Sequence, residues 1–544
     1  LRTKIMTLPN DVVVFPGHRA RSTSGKNMSS FTSIGYFQQD GILRTTGLNR
    51  FTLRNNITGK SSNEKFKYSV NTAFGYSKNN EATNLGTGAI NRNYITGAFL
   101  GAPYVSPDEY TSSQAALDFY NNTPGLLATP IMLMDKLATY ENLTDEIRVD
   151  IAGDFSYKIA NDFTLRNRTS GQLISNRFFQ SEGPNSFNAL LFSSTPGVSS
   201  LAGGNFNGFE DVNQRREFYF TNLSQLGYSK EFGLHTVNAF ANFEYNHSRL
   251  NTNNLRRNGL IPGVYVPNTG AGYAADTAAN DFYVPNASVS QLRNDLVSYF
   301  GSVDYDYNKK YGVLASVRRD GSSRFVEEYQ WGNFWSLGGR WNLDEEAFMD
   351  NVTFVNSLKL RGSYGTVGNQ RIVAGTIYAG INPPGFADIY SVTNDTYNGA
   401  TGYGISFGYP ALRWETTTQY NIGSDFELNN SRIRGSFDYY SRATSDLFLD
   451  SPVTPTSGVS SINRNSEATI TNKGFELNLT YDLINHNRHF RWPLYAHHID
   501  FENAWVHLRS SNTEPIIRIY TEAPSQLEAD KLADEIIAII GTIQ

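Results

Sequence analysis

No cysteine occurs in the 544 residues, which excludes disulfides, thiolate metal sites and cysteine nucleophiles and suits an exported protein that avoids stray thiols. Charge is scarce as well. Charged residues make up 18% of the chain, against about 25% in typical soluble proteins. No stretch of about 18 apolar residues exists, so no transmembrane helix can form. The net charge of −5 and pI near 6.0 lack the basic excess of a nucleic-acid binder. The first residues, Leu1-Arg2-Thr3-Lys4, carry neither an initiator methionine nor a signal peptide, as expected of a processed or cut chain. The eight histidines are scattered, and no His/Asp/Ser spacing suggests a triad. No catalytic residue, metal or cofactor is therefore expected.

What is present points to strands. Aromatics reach 13%, with Tyr 32, Phe 35 and Trp 6, beside 46 Gly and much Asn, Ser and Thr. A disordered chain would be poor in aromatics, and a helical bundle would be rich in Ala, Glu, Lys and Leu. From about Asn49 to Leu483 the dominant pattern is strict alternation. Phe66, Tyr68, Val70, Thr72, Phe74 and Tyr76 share one face, with Lys67, Ser69, Asn71 and Ala73 on the other. The pattern returns at Val149 to Ile159, Val237 to Tyr245, Val297 to Tyr307, Leu358 to Tyr364 and Ile433 to Tyr440. A period of two is a pleated strand with one apolar and one wet face.

The segments run to about ten residues, often with Tyr or Phe near an end. A bilayer-spanning strand needs about 9–11 residues with aromatics at both headgroup levels, whereas soluble strands are nearer 5–6. Alternation alone leaves a transmembrane barrel and a soluble sandwich open, and length favours the barrel. Short turns such as Asn308-Lys309-Lys310 alternate with long polar insertions at Gly86 to Leu143, Phe179 to Gln214 and Ser248 to Leu292, as in outer-membrane barrels. Asp108 to Tyr120 and Met132 to Asn142 predict short helices within the first of these.

Several strings carry a family resemblance. Val317-Arg318-Arg319-Asp320-Gly321-Ser322-Ser323-Arg324-Phe325 is one, and Ser357-Leu358-Lys359-Leu360-Arg361-Gly362-Ser363-Tyr364-Gly365-Thr366-Val367-Gly368-Asn369-Gln370 another. Pro410-Ala411-Leu412-Arg413-Trp414-Glu415-Thr416-Thr417-Thr418-Gln419 with Asn421-Ile422-Gly423, then Asp438-Tyr439-Tyr440 and Asn472-Lys473-Gly474-Phe475-Glu476-Leu477, complete the set. Residues 31–484 thereby resemble the barrel of SusC/RagA-type TonB-linked outer-membrane transporters. The resemblance implies import of oligosaccharides or peptides through a barrel of about 22 strands, energised by the TonB complex and capped by a SusD-like surface lipoprotein. The family's plug, TonB box and last strands have no counterpart in the chain, and at roughly 30 residues per strand about 14–16 strands are expected. Within these strings Asp320-Gly321 reads as a turn, Gly362, Gly365 and Gly368 as points of close backbone approach, and Trp414 and Tyr420 as bilayer-interface aromatics.

The two ends read differently. From 499 on, Trp505-Val506-His507-Leu508 and Ile516 to Tyr520 predict strands, and Ser525-Gln526-Leu527-Glu528 is a capping box. Ala529, Leu532, Ala533, Ile536, Ile537 and Ile540 then keep helical spacing, with Gly541 as C-cap. The connecting Arg509-Ser510-Ser511-Asn512-Thr513-Glu514-Pro515, with Arg518, resembles the phosphate-binding loop of the phosphohexomutases. The resemblance implies that Arg509, Ser511, Asn512, Thr513 and Arg518 grip a substrate phosphate, a chemistry that arginine forks and hydroxyls serve well. The catalytic serine and metal loops of that family are absent, so no mutase activity is expected. Residues 1–30, with Leu8 to His18 and Gly25 to Ser29, are similar to a late strand of metallo-β-lactamase-fold hydrolases, without their metal cluster.

The reading is thus a mainly β chain: an incomplete antiparallel transmembrane β-barrel of the TonB-dependent transporter type over 31–484, a junction at 485–498, and a small α+β lobe over 499–544. The predicted function is outer-membrane nutrient uptake in a Gram-negative bacterium, with outer-membrane lipid, the TonB complex, a SusD-like lipoprotein and an oligosaccharide or peptide as partners. As a composite of three families, the chain is expected to be inactive in transport by itself. The alternatives are a soluble β-rich binding or adhesion protein and a phosphosugar-binding mutase fragment.

Overall fold

A computed structural model describes residues 13–15, 19–21, 28–81, 97, 99–123, 130–192, 208–273, 286–370, 389–397, 400–481, 496–500, 503–510 and 517–541. Fourteen long antiparallel strands dominate it. They are β1 (Met28–Asp40), β2 (Gly47–Lys60), β3 (Phe66–Asn80), β4 (Tyr140–Lys158), β5 (Phe163–Glu182), β6 (Phe209–Phe232) and β7 (His235–Asn258). The rest are β8 (Asn286–Tyr307), β9 (Tyr311–Ser322), β10 (Trp331–Asn342), β11 (Val355–Asn369), β12 (Glu415–Leu428), β13 (Ile433–Ser445) and β14 (Ile470–Tyr481). Each pairs with its neighbours in this order, and two short segments, Val13–Phe15 and Arg19–Arg21, add to the outer edge of β1. Among the described residues β14 is paired on one side only.

The alternating faces agree across the ladder. Phe74 lies opposite Leu53 on one side and Val149 on the other, and Phe243 and Tyr245 lie opposite Tyr299 and Val297. A register slip of one residue would carry every apolar side chain to the wet face, so the pattern specifies the pairing. No second sheet covers the apolar flank among the described residues. The remaining sheets have two, two and three strands, and Ile151, Val317, Ile422 and Phe475 stay 53%, 64%, 63% and 71% exposed. A sandwich would hide this face inside, so the soluble-sandwich alternative is set aside. Rings mark two levels on this flank. Phe163–Tyr228 (4.9 Å), Phe232–His235 (5.3 Å), Tyr307–Tyr311 (6.4 Å) and Tyr311–Trp341 (6.4 Å) lie near the short turns, and Phe243–Tyr299 (5.3 Å), Tyr299–Trp331 (6.4 Å) and Trp335–Tyr364 (5.5 Å) lie higher. The eight positions from Tyr307 to Tyr299 rise roughly 19 Å at a 45° tilt, consistent with an apolar band about 25 Å tall.

The strands are longer than the sequence pattern suggested, from 12 residues in β14 to 24 in β6 and β7. Twenty-four residues extend roughly 80 Å, well beyond a bilayer. Part of the extra length comes out of two expected insertions, which shrink to 183–208 and 259–285, while the first shifts to 81–139 without shortening. The short connections lie at the opposite end. Gly233, Asn308, Lys309, Asn429, Asn430 and Ser431 turn the chain there with φ between 52° and 62°, a region that Gly and Asn tolerate well.

Two expectations are corrected. Asp320-Gly321 is not a turn. Both residues sit inside β9, opposite Ser298 and Val297, and a Cβ on Gly321 would meet the Trp331 ring at 2.8 Å, so the glycine makes room for an aromatic plate. Trp414 is not at the lipid interface. It is 8% exposed in a cluster with Phe325, Phe334 and Leu412, and its Nε1 donates to the Gln330 carbonyl at 3.0 Å. Tyr420 does face outward, opposite Tyr364. Of the glycine series, Gly368 leaves space for the Phe334 ring and Gly365 for Ser336.

The predicted loop helices form as α1 (Ser113–Asn122) and α2 (Pro130–Thr139), followed by α3 (Phe187–Phe192) in the next connection. Near the C-terminus, Ala496–Asp500, Trp505–Ser510 and Ile517–Glu522 form a small antiparallel sheet, with α4 (Gln526–Gly541) against it. Val506 and Ile536 make the core with Ile519 and Leu532, and the Ser525 Oγ accepts the Glu528 amide at 3.3 Å. Ile537, counted in the apolar set, is instead 54% exposed.

Candidate ligand-binding mouth and lumen

The face opposite the apolar flank carries charge, and three arginine clusters brace it across strands. Arg361 of β11 reaches over β12 to Asp438 of β13, with Nη1 and Nη2 donating to Oδ1 and Oδ2 at 2.6 and 2.7 Å, and also bonds Asp425 at 3.2–3.3 Å. Its path crosses Gly423, its direct partner on β12. A Cβ there would stand 2.6 Å from Asp438 Oδ1 and 2.9 Å from Arg361 Nη1. The glycine is therefore the gap through which the brace passes. Arg318 of β9 repeats the device, donating to Asp320 at 2.7 Å, to Ser298 of β8 at 2.9 Å and to Glu244 of β7 at 2.9 Å. Asp154 of β4 collects Arg166 and Arg168 of β5. Partly hydrated pairs of this kind contribute about 0.2–1 kcal/mol each. They fix where donors and acceptors stand on a wet wall suited to polar ligands.

Beyond the upper aromatic level, the ends of β5 and β6 are covered, one on each face. On the charged, inner face, the helices of 81–139 pack with α3 into a cluster of Ala102, Val105, Ala116, Ile131, Met132 and Phe187. Buried polar groups tie this cluster to the rim. Lys136 pairs with Glu182 at 3.3 Å, the two side chains being 2% and 0% exposed. Glu182 also accepts from Asn188 at 2.8 Å. Asp135 accepts from the Tyr110 hydroxyl at 3.1 Å and the Phe187 amide at 2.8 Å. Burial raises the Asp135 carboxyl above the ordinary range, against these hydrogen bonds.

The outer face of the extensions is clothed by the segment 259–273. Glu210 of β6, itself 5% exposed, accepts the Tyr265 hydroxyl and the Asn268 amide at 2.7 and 3.0 Å, and the Tyr273 hydroxyl as well. Burial, then the Glu210 bond, pushes both phenols well above their ordinary value near 10. Between these coverings lies an open cavity of about 640 Å³, lined by Lys78, Glu81, Tyr140, Asn142, Ser186 and Tyr265 among others. Its amides, hydroxyls and charges can hydrogen-bond a polar ligand, and Leu137, Leu143, Pro184 and Pro267 offer apolar contact beside them.

The phosphate-loop residues divide. Arg509 and Arg518 are direct cross-strand partners in the C-terminal sheet, while Ser511, Asn512 and Thr513 lie outside the described residues, as does His18. Among the described residues no group of His, Asp or Glu could hold a metal ion, and no helix is long and apolar enough to cross a membrane. Sequence reasoning missed the Lys136–Glu182 and Glu210 anchors, because a single charge in a polar connection gives no sign of burial. Arg361, Gly423 and Asp438 all lie within the strings that carry the family resemblance, and the ladder brings them side by side on one face. Their parity was the available signal.

Comparison with known proteins follows the same lines. A family model described as TonB dependent receptor-like, beta-barrel, matches residues 133–516. The TonB-dependent receptor P39 of Formosa agariphila is 29% identical over 485 residues, 87% of this chain and 41% of the relative. The TonB-dependent receptor SusC of Bacteroides thetaiotaomicron is 29% identical over 451 residues, 78% of this chain and 40% of the relative. The chain thus spans about two fifths of the length of these curated relatives. Among solved structures, the RagAB peptide transporter superposes with a TM-score of 0.66 at 20% identity, over 92% of this chain and 49% of that one, a likeness of fold.

Proposed function

Because the chain belongs to the TonB-dependent receptor-like β-barrel family of Gram-negative outer membranes, we propose that it supplies the barrel wall and loop mouth of an importer for oligosaccharides or peptides. The observation that carries this reading is the contrast between the two faces of one sheet. An uncovered apolar flank with two aromatic levels meets lipid, and a charged, arginine-braced face lines a wet passage. The loop-built mouth adds a polar cavity where a ligand can be held before passage. On this reading the TonB complex powers uptake and a SusD-like lipoprotein closes the mouth. The names of the relatives, SusC and RagAB, favour these partners.

The test has two arms. Fractionation of the expressed chain should place it in the outer membrane and release it only with detergent; recovery as a soluble monomer overturns the reading. Uptake of labelled oligosaccharide and of labelled peptide should then require the complete gene and an intact TonB complex. Equal uptake without TonB removes the proposed energy source.

A second reading attaches to the small C-terminal lobe. Arg509 and Arg518 stand opposite each other, which supports a phosphate grip completed by Ser511, Asn512 and Thr513. Glucosamine phosphate should bind the chain and bind the Arg509→Ala variant far more weakly; equal affinity removes the site. On the same reading the chain joins a transporter barrel (31–484), a phosphohexomutase-like lobe (499–544) and a hydrolase-like stretch (1–30) through 485–498. Sequencing the locus across 484–499 tests that join.

A further inference from the structure

We propose that the outer face of β6, β7 and β8, just above the lipid-facing band, binds the phosphorylated headgroup of an anionic lipid through Arg216, Arg249 and Arg293. The proposal rests on the barrel reading and adds a site to it. By ladder parity these three arginines lie on the same face as Phe218, Tyr245 and Tyr299, the lipid side. Arg249 and Arg293 are direct cross-strand partners. Arg216 is two positions from Phe218, the residue facing Arg249 on β6, which places it on the diagonal, roughly 7–8 Å away. All three are exposed, Arg293 with 64% of its side chain open to solvent.

Height places the cluster. Arg293 precedes Tyr307 of the lower aromatic level by fourteen positions, and Arg249 follows His235 by the same number. Fourteen residues rise roughly 33 Å at a 45° tilt, against an apolar band about 25 Å tall. The guanidinium groups therefore stand at headgroup depth, directly over Tyr245 and Tyr299. Arg177, on the same face of β5 and fourteen positions beyond Phe163, continues the row.

Like charges directly opposite are unfavourable in a sheet, and little here neutralises them. Asp295 takes Arg293 Nε at 2.6 Å, but it is shared with the Tyr245 hydroxyl at 2.9 Å and His247 Nδ1 at 2.7 Å. Among the described residues no ion pair joins Arg216 or Arg249 to a carboxylate; Arg249 Nε donates to the Asn251 amide oxygen at 3.4 Å, and Nε (2.7 Å) and Nη2 donate to the Gln291 side-chain oxygen, which orients the fork without neutralising it. A structural brace would pair each arginine with an acid, as the lumen does for Arg361 and Arg318. Three exposed guanidinium groups that share one carboxylate, Asp295, keep an excess of positive charge at this depth, which matches a phosphate whose acyl chains lie against the band beneath.

The test uses the whole chain in non-ionic detergent micelles and counts bound lipids by native mass spectrometry. The probes are a short-chain phosphatidic acid, a short-chain phosphatidylcholine and inorganic phosphate. The expected result is preference for phosphatidic acid, lost about hundredfold in the R216Q/R249Q/R293Q variant at about fivefold per arginine. It should be retained in R50Q/R54Q/K67Q, which removes equal charge from the opposite face. Equal binding of the two lipids, or an unchanged triple variant, overturns the proposal. Displacement of the lipid by an equal concentration of inorganic phosphate would assign the cluster to free phosphate and overturn the lipid. A chain that never enters micelles would instead fail the barrel reading.

Discussion

The lower and upper halves of the sheet are built on opposite rules. Near the short turns, apolar side chains such as Val303 and Leu337 stay uncovered (46% and 51% exposed) and each strand needs only its neighbours. Above the aromatic level, β5 and β6 carry buried charges, Glu182 and Glu210, and depend on loops distant in sequence to cover them. The first half was shaped for an apolar solvent outside the protein, and the second makes its own interior. The lesson is that one antiparallel ladder can serve two solvents by changing what clothes it.

That contrast can be broken most sharply at the rim. Glu182→Ala removes the carboxylate beside the buried Lys136 and should cost about 3–5 kcal/mol of loop-cap stability. Limited proteolysis within 97–139 should increase while the detergent-resistant β-sheet persists; an unchanged cleavage pattern would deny the cap its anchor. Below the rim, Val303→Lys places a charge halfway between Tyr299 and Tyr307 and should destabilise the folded state by about 2–4 kcal/mol in lipid. Val289→Lys, on the same face of β8 but above the band and 81% exposed, should be nearly neutral. Equal effects in a refolding titration would erase the distinction between the halves. Gly423→Ala pushes a methyl between Arg361 and Asp438 and should cost about 1–3 kcal/mol, seen as a lower unfolding midpoint.

The smallest effect expected is in pH. Tyr265 and Tyr273 have folded-state values raised above their ordinary value of about 10, so their contribution is complete below that pH and is lost as pH rises through the raised values. Amide protection within 259–273, taken relative to the base-catalysed intrinsic exchange rate, should therefore fall as pH rises above about 10. The lower strands should not change with it, and Tyr265→Phe should flatten the response.

Much of the lower half was legible in the sequence. The strings around Phe66 to Tyr76, Val149 to Ile159 and Val297 to Tyr307 predicted strands whose apolar positions do fall opposite one another, because a period of two survives any register that keeps the faces aligned. The capping Ser525 and the helical spacing after it were readable for the same local reason. Strand ends were not. β6 and β7 run past their alternating core into Asp211, Asn213, Thr252 and Asn254, which look like loop in isolation and become strand only when paired. Trp414 misled because an aromatic near a strand end fits an interface and a core equally well, and Phe334 decides between them.

By itself the sequence determined that the chain is a succession of two-faced antiparallel strands without cysteine chemistry or membrane helices, since composition and period follow from single residues and their neighbours. Tertiary structure alone decided which charges are buried, which glycine lets Arg361 cross to Asp438, and how three exposed arginines from three strands come to share one patch. Those outcomes depend on pairing between residues far apart in the chain, where burial and proximity are set by the whole ladder and leave no mark on local sequence.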